Sequence, residues 1–166
     1  MKVLWAPWRI KYILQEKPQE CIFCKYRDEV KRDEENLVVY RGKRVFAVLN
    51  LYPYNPGHLM IAPYRHVKSL TELDDDELLD LNRTLKLMIK AIDKAMKPDG
   101  YNIGINLGKV AGAGIEDHIH VHVVPRWLGD TNYMPVIADT KVIPEALKDT
   151  YQRIKRALEE VLKCEY

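Results

Sequence analysis

Residues 118–127 read HIHVHVVPRW, three histidines at i, i+2 and i+4 threaded through Ile119, Val121 and Val123. Successive side chains of an extended strand leave on opposite faces, so His118, His120 and His122 share one face and the branched aliphatics the other. A helix cannot do this, because residues two apart diverge around its axis. The stretch therefore predicts a strand with one face given to core and one to chemistry, its same-face rings about 7 Å apart. Imidazole titrates near neutrality, which suits it to group transfer and to metal binding; a polar strand face that is histidine by chance is the alternative.

A strand needs partners, and the chain supplies them in an α+β order. KRVFAVLNLY (43–52) and GHLMIAPY (57–64) read as two strands joined by the turn PYNP, an antiparallel hairpin. From Thr71 the period changes: Leu78, Leu81, Leu85, Met88, Ile92 and Met96 recur at helical spacing behind the acidic run Asp74, Asp75, Asp76, Glu77, which suits a helix N-terminus. After Pro98-Asp99-Gly100 come a strand in YNIGINLG (101–108), a loop KVAGAGIED (109–117) and the histidine strand. The segment 144–164 closes as an amphipathic helix with Leu147, Tyr151, Ile154, Leu158 and Val161 on one stripe. Both helical stripes read as ordinary core.

The size and charge of the chain narrow its partners. At 166 residues, without repeats or linkers, it reads as one unit. Its 26 basic and 24 acidic side chains give no polycationic signal for a nucleic-acid polymer. No apolar run approaches the roughly 20 residues of a membrane span, and MKVLWAPWRIKYIL is broken by Trp, Pro and Arg, so the expectation is a cytoplasmic protein. The aromatic LWAPWR start suits either a cap on the core or a dimer contact.

Only two histidines lie outside the triplet, His58 at the start of the second hairpin strand and His66 just after its end. His66 gains interest beside CIFC, residues 21–24. The C-x2-C spacing lets two thiolates grip one zinc, and a closed site needs two further ligands, for which His66 and one strand histidine are the candidates. A redox pair and two packed thiols are the other readings, and no strand precedes CIFC as a thioredoxin-like motif requires.

Together, HIHVHVV-PRW, CIFC, FAVLNLYPYNPGHLMIAPYRHV and the tail WLGDTNYMPVIADTKVIPEAL resemble the histidine triad (HIT) superfamily, its bacterial diadenosine tetraphosphate phosphorylase-like branch in particular. The resemblance implies a HIT-like α+β fold over residues 1–166: an antiparallel sheet with a long central and a C-terminal helix, 1–30 as an N-terminal segment and 127–166 as an extension. It implies a homodimer that binds a nucleoside 5′-phosphate. Carried over by position, His120 is the nucleophile and His122 contacts the α-phosphate and assists the leaving group. Asn50 reaches the ribose, Asn106 stands ahead of the phosphate loop and His58 lines the site. Cys21, Cys24, His66 and His118 hold a structural zinc, and no organic cofactor is implied. The chain departs from many relatives in carrying Gly114 and Ile115 where Gln, Ser or Thr bonds phosphate, so those contacts fall to backbone N–H groups of the AGAG loop and to Lys109.

Imidazole chemistry agrees with this role, since a neutral ring can attack phosphorus and the nucleotidyl-histidine formed is labile to a second acceptor. Three functions stay open on the sequence. One is a nucleotidyl transferase on dinucleoside polyphosphates with inorganic phosphate as acceptor. A second is the same covalent step ended by water, or applied to nucleoside phosphoramidates. The third is a nucleotide-binding protein without turnover, against which an intact His120 and His122 argue. A catalytic zinc on the histidine strand is disfavoured by the cysteine pair, which closes a site.

Overall fold

The computed structural model describes residues 20–131 and 143–164. The LWAPWR start and most of the GDTNYMP tail segment lie outside these. Five strands form one antiparallel sheet: β1 (Val38–Arg41), β2 (Val45–Leu49), β3 (Leu59–Pro63), β4 (Gly100–Ile105) and β5 (Val121–Arg126), in the order β1-β2-β3-β5-β4. Among the described residues three α-helices accompany them: α1 (Ile22–Asp28), α2 (Asp75–Met96) and α3 (Leu147–Cys164). The expected α+β architecture, with its hairpin of β2 and β3, is present.

The central strands are buried on both faces, and alternation sorts their residues. Val45, Ala47, Leu49, Leu59, Ile61, Val121 and Val123 point into a core closed by α2 and α3. Phe46, Val48, Met60 and Ala62 point the other way, under Phe23 and Tyr26 of the short α1. The histidine face is therefore no open polar surface: His118 is 0% and His120 4% exposed. Because α1 covers only part of this face, a cleft opens beside it over β5.

Sequence and structure differ at two boundaries and over one strand. The regular strand begins at Val121, so only His122 of the triplet is within it. The β3–β5 ladder ends at Ile61↔Val121. Its next partner, Pro63, has no N–H to donate, and Ile119 bonds the Val67 carbonyl instead. Helix α2 starts at Asp75 and not near Thr71, because Asp74 accepts from the Glu77 N–H at 2.8 Å while Glu77 accepts from the Asp74 N–H at 2.9 Å, a reciprocal cap. Strand β1, in the β-branched run of NLVVYR, escaped the reading altogether.

Candidate active site

The loop 114–120 brings the triplet in, and its backbone sets the first ring. Nδ1 of His120 lies 2.9 Å from the His118 carbonyl oxygen, which accepts only from an N–H. The proton of the neutral ring is therefore on Nδ1, and the Nε2 lone pair is left for the cleft, which His120 lines. Burial pushes the His120 pKa below its ordinary value, against the opposing effect of that carbonyl, so the ring is neutral at physiological pH.

A second chain of bonds sets His122. The Tyr54 N–H donates to Nδ1 of His58 at 3.1 Å, and the Asn50 side-chain amide sits 3.5 Å from the same nitrogen. His58 Nδ1 is thus an acceptor and Nε2 carries the proton. That N–H reaches Nδ1 of His122 at 3.0 Å. His122, its own Nδ1 occupied as an acceptor, bears its proton on Nε2. The two strand rings stand 4.8 Å apart, closer than the strand repeat alone gives, because they tilt edge to face. One ring offers a lone pair and its neighbour an N–H.

The cleft around them is open to solvent. One wall is apolar: Ile22 and Tyr26 from α1, Met60 from β3 and Ile115 from the loop. Across it, Asn50, Leu51, Tyr52 and Tyr54 descend from the hairpin turn, held by the Asn50 side-chain oxygen, which accepts from the Tyr52 N–H at 2.9 Å. The floor is Asn106, Gly112 and Gly114. Asn106 donates to the Gly112 carbonyl at 3.4 Å, and Gly112 takes a φ of +88°, a conformation in which a side chain would be strained. Apolar walls with few polar groups at one end suit a ligand that joins a flat apolar ring to a polar tail.

Of the expected site residues, the structure brings Asn50, Asn106, Gly114, His120 and His122 to this cleft. His58 is 1% exposed and stands behind His122, not in the wall. Lys109 is exposed in the turn Lys109–Ala111 and is not among the lining residues. The apolar wall was not foreseen, although Ile22 sits inside CIFC, Met60 in the second hairpin strand and Ile115 beside Gly114, all in stretches that had drawn attention for other reasons.

On the far side of His118 is a second cluster. The ligand atoms of Cys21, Cys24, His66 and His118 all lie within 4.8 Å of one another. Sγ of Cys21 is 3.3 Å from Nδ1 of His118, and Sγ of Cys24 is 3.3 Å from Nδ1 of His66. Nε2 of His118 bonds the Pro63 carbonyl at 2.8 Å, which places that ring's proton on Nε2 and turns the Nδ1 lone pair to the cysteines. Burial lowers the His118 pKa to about 4, so it is a neutral donor. Two thiols and two imidazoles converging in this way can hold a metal ion. Cys164, the third cysteine, is exposed at the end of α3.

Comparison with known proteins places this arrangement. A family model described as HIT domain matches residues 31–127, more than half of the chain. The chain is 46% identical over 154 residues to an AP-4-A phosphorylase of Mycobacterium tuberculosis, an alignment covering 89% of this chain and 79% of that protein. Among solved structures it is similar to a hypothetical histidine triad nucleotide-binding protein of Sulfolobus tokodaii, with a TM-score of 0.66 at 30% identity over 87% of this chain and 93% of the other. A Zn-bound histidine triad family protein of Mycobacterium smegmatis shares the fold with a TM-score of 0.70 at 23% identity, covering 87% and 97%. With the family's model spanning the sheet, His120 and His122 lining the cleft and His118 turned to the cysteines, this chain belongs to the histidine triad (HIT) family.

Proposed function

We propose that the protein is a nucleotidyl transferase that cleaves dinucleoside polyphosphates, diadenosine tetraphosphate first among them, with inorganic phosphate as acceptor. The observation that carries this reading is the pair of opposite tautomers: a lone pair at His120 Nε2 beside an N–H at His122 Nε2, at the polar end of an apolar cleft. The similarity to the M. tuberculosis phosphorylase supports the substrate class.

In the first half-reaction His120 Nε2 attacks the α-phosphorus, a P–N bond forms, and the bond from that phosphorus to the bridging oxygen breaks. ATP leaves, its new terminal oxygen receiving the hydrogen bond of His122 Nε2–H. In the second, a phosphate oxygen attacks the adenylyl phosphorus, the P–N bond breaks, and ADP leaves with the neutral His120 restored. Asn50, which lines the cleft, takes the ribose hydroxyls in this reading, and the backbone at Gly112 and Gly114 the phosphate oxygens. Lys109, exposed and outside the lining, is a weaker candidate for phosphate.

Cys21, Cys24, His66 and His118 would hold zinc. A tetrahedral zinc with S and N donors has ligand–ligand edges of about 3.3–3.8 Å; three of the six separations here, 3.3, 3.3 and 3.8 Å, fall in that range, and all lie within 4.8 Å. A four-ligand site leaves no open position, so the ion supplies cross-linking and no activated water.

A homodimer is the assembly we infer. Strand β4 ends the sheet, and Asn102, Ile103 and Gly104 along it are exposed. An exposed edge strand of this kind is suited to pairing with a second copy about a two-fold axis. Among the described residues no helix is long and apolar enough to cross a membrane; we place the protein in the cytoplasm as one catalytic unit.

The test is to incubate the protein with diadenosine tetraphosphate, with and without phosphate, and separate the products. ADP and ATP that require phosphate are expected. AMP and ATP without phosphate would replace the phosphorylase by a hydrolase, and no cleavage would overturn the reading.

A further inference from the structure

The motif CIFC does more than present two thiols. Residues three apart on a helical turn share a side, so the two residues between the cysteines must leave in other directions. Phe23 goes down onto the sheet, 0% exposed, its ring centroid 5.1 Å from His118 and 5.0 Å from His120. Phe46 closes its other side, with centroids 6.2 Å apart. Ile22 and Tyr26, four apart, form the next side of α1 and are the apolar wall of the cleft. A single seven-residue helix therefore touches the cysteine–histidine cluster, the nucleophile and the nucleotide cleft.

Such a helix does not hold itself. Seven residues are too few for a helix to persist alone, and its N-cap, Cys21, makes no side-chain capping bond. It is fixed by the burial of Phe23 and Tyr26, by Arg41, which donates to the Tyr26 carbonyl at 2.6 Å, and by the cluster at its N-terminal end. Arg41 acts on the C-terminal half of α1. The cluster and the Phe23 ring together tie its first turn, where Ile22 and Phe23 are, to the loop that bears His118 and His120.

We propose that Phe23 is a positioning residue for His120, that Ile22 and Tyr26 set the affinity for the nucleoside, and that metal held by Cys21, Cys24, His66 and His118 controls both by fixing the first turn of α1. The metal centre is then a clasp on the reaction geometry as well as a staple for the fold. This rests on reading the cleft as a nucleotide site.

The experiment compares metal-loaded wild type, Phe23→Leu, Ile22→Ala and chelator-stripped wild type. Four quantities are read: bound metal, AMP affinity by calorimetry, the His120 imidazole signals by nitrogen–proton NMR, and turnover. Phe23→Leu is expected to keep its metal and bind AMP within about twofold of wild type. It should show shifted or broadened His120 signals and a kcat down about tenfold or more, as small misplacements of a reacting atom cost. Ile22→Ala is expected to raise the AMP Kd about tenfold while its His120 signals stay those of wild type. Stripped protein combines the two effects, with its sheet retained by circular dichroism.

Unchanged His120 signals and kcat in metal-loaded Phe23→Leu would overturn the positioning role. Stripped, folded protein that binds AMP as the loaded form does would overturn the clasp. If stripping unfolds the chain, the two loaded variants decide, and Phe23→Met replaces Phe23→Leu should the latter not fold. A wild type that binds no AMP would defeat the nucleotide reading instead, and the NMR comparison still judges the contact of Phe23 with His120.

Discussion

His58 has no place in the cleft wall, yet the tautomer chain makes turnover depend on it. Its Nδ1 accepts from the Tyr54 N–H and its Nε2 donates to His122 at 3.0 Å, so His58 is what assigns His122 its outward-facing proton. Phe in its place keeps a ring stacked on Tyr54, which lies 4.9 Å away at 15°, and removes the bonds to the Tyr54 N–H and to His122. One such bond is worth about 1 kcal/mol net. Loss of an orienting partner behind a functional histidine typically costs a further factor, about 10–100-fold in all, or about 1.4–2.8 kcal/mol of barrier. Steady-state kinetics on diadenosine tetraphosphate with phosphate should show kcat of His58→Phe reduced by that factor. KM should stay within about threefold, since a residue 1% exposed does not meet the substrate. His58→Gln, whose amide N–H can still donate to His122, should recover most of the loss. Wild-type kcat in His58→Phe, or equal losses in the two variants, would refute the proton assignment and leave His58 a packing residue.

Other consequences follow from the cap, the metal cluster and the sheet edge. The side chain of Glu77 is 3% exposed, and its carboxyl is held below its ordinary pKa of 4.5 chiefly by Arg65. A lowered carboxyl pKa stabilises above the unfolded value and is lost as pH falls through the folded one. Glu77→Gln should therefore cost about 1–2 kcal/mol at pH 7 by urea unfolding, and the gap to wild type should close as pH drops below 4.5. Cys24→Ser should reduce bound metal well below one per chain. At metal one hundredfold above Kd the lost stabilisation is about 2.7 kcal/mol, about 5–10 °C in Tm for a chain this size, readable by calorimetry with and without chelator. Ile103→Arg on the exposed edge of β4 should shift the mass in solution from dimer to monomer by light scattering; an unchanged dimer would place the interface elsewhere.

Much of this was legible because period-two and period-3.6 patterns are dictated by local geometry. HIHVHVV announced a two-faced segment, and the stripe from Leu78 to Met96 announced α2. The strand edge at Val121 was not legible, because it is set by Pro63, more than fifty residues away, which cannot continue the ladder. The four candidate metal ligands could be proposed from type and spacing plus family likeness, and their atoms do converge. What the sequence withheld was everything carried by one residue against another distant in the chain: the His118 carbonyl that fixes His120, the His58–His122 bond, and Phe23 against both strand histidines. The apolar wall was hidden for the same reason, since Ile22 and Ile115 become neighbours of one cleft only when the sheet assembles.

In the proposed reaction His120 carries the nucleotidyl group. Mixing the protein with diadenosine tetraphosphate in the absence of phosphate, quenching within the first turnovers, and mapping the digested chain by mass spectrometry tests it directly. One adenylyl group on the peptide 118–126, localised to His120, absent from His120→Ala and discharged as ADP when phosphate is added, is the predicted result. Turnover by His120→Ala, or an adduct on another residue, would contradict it.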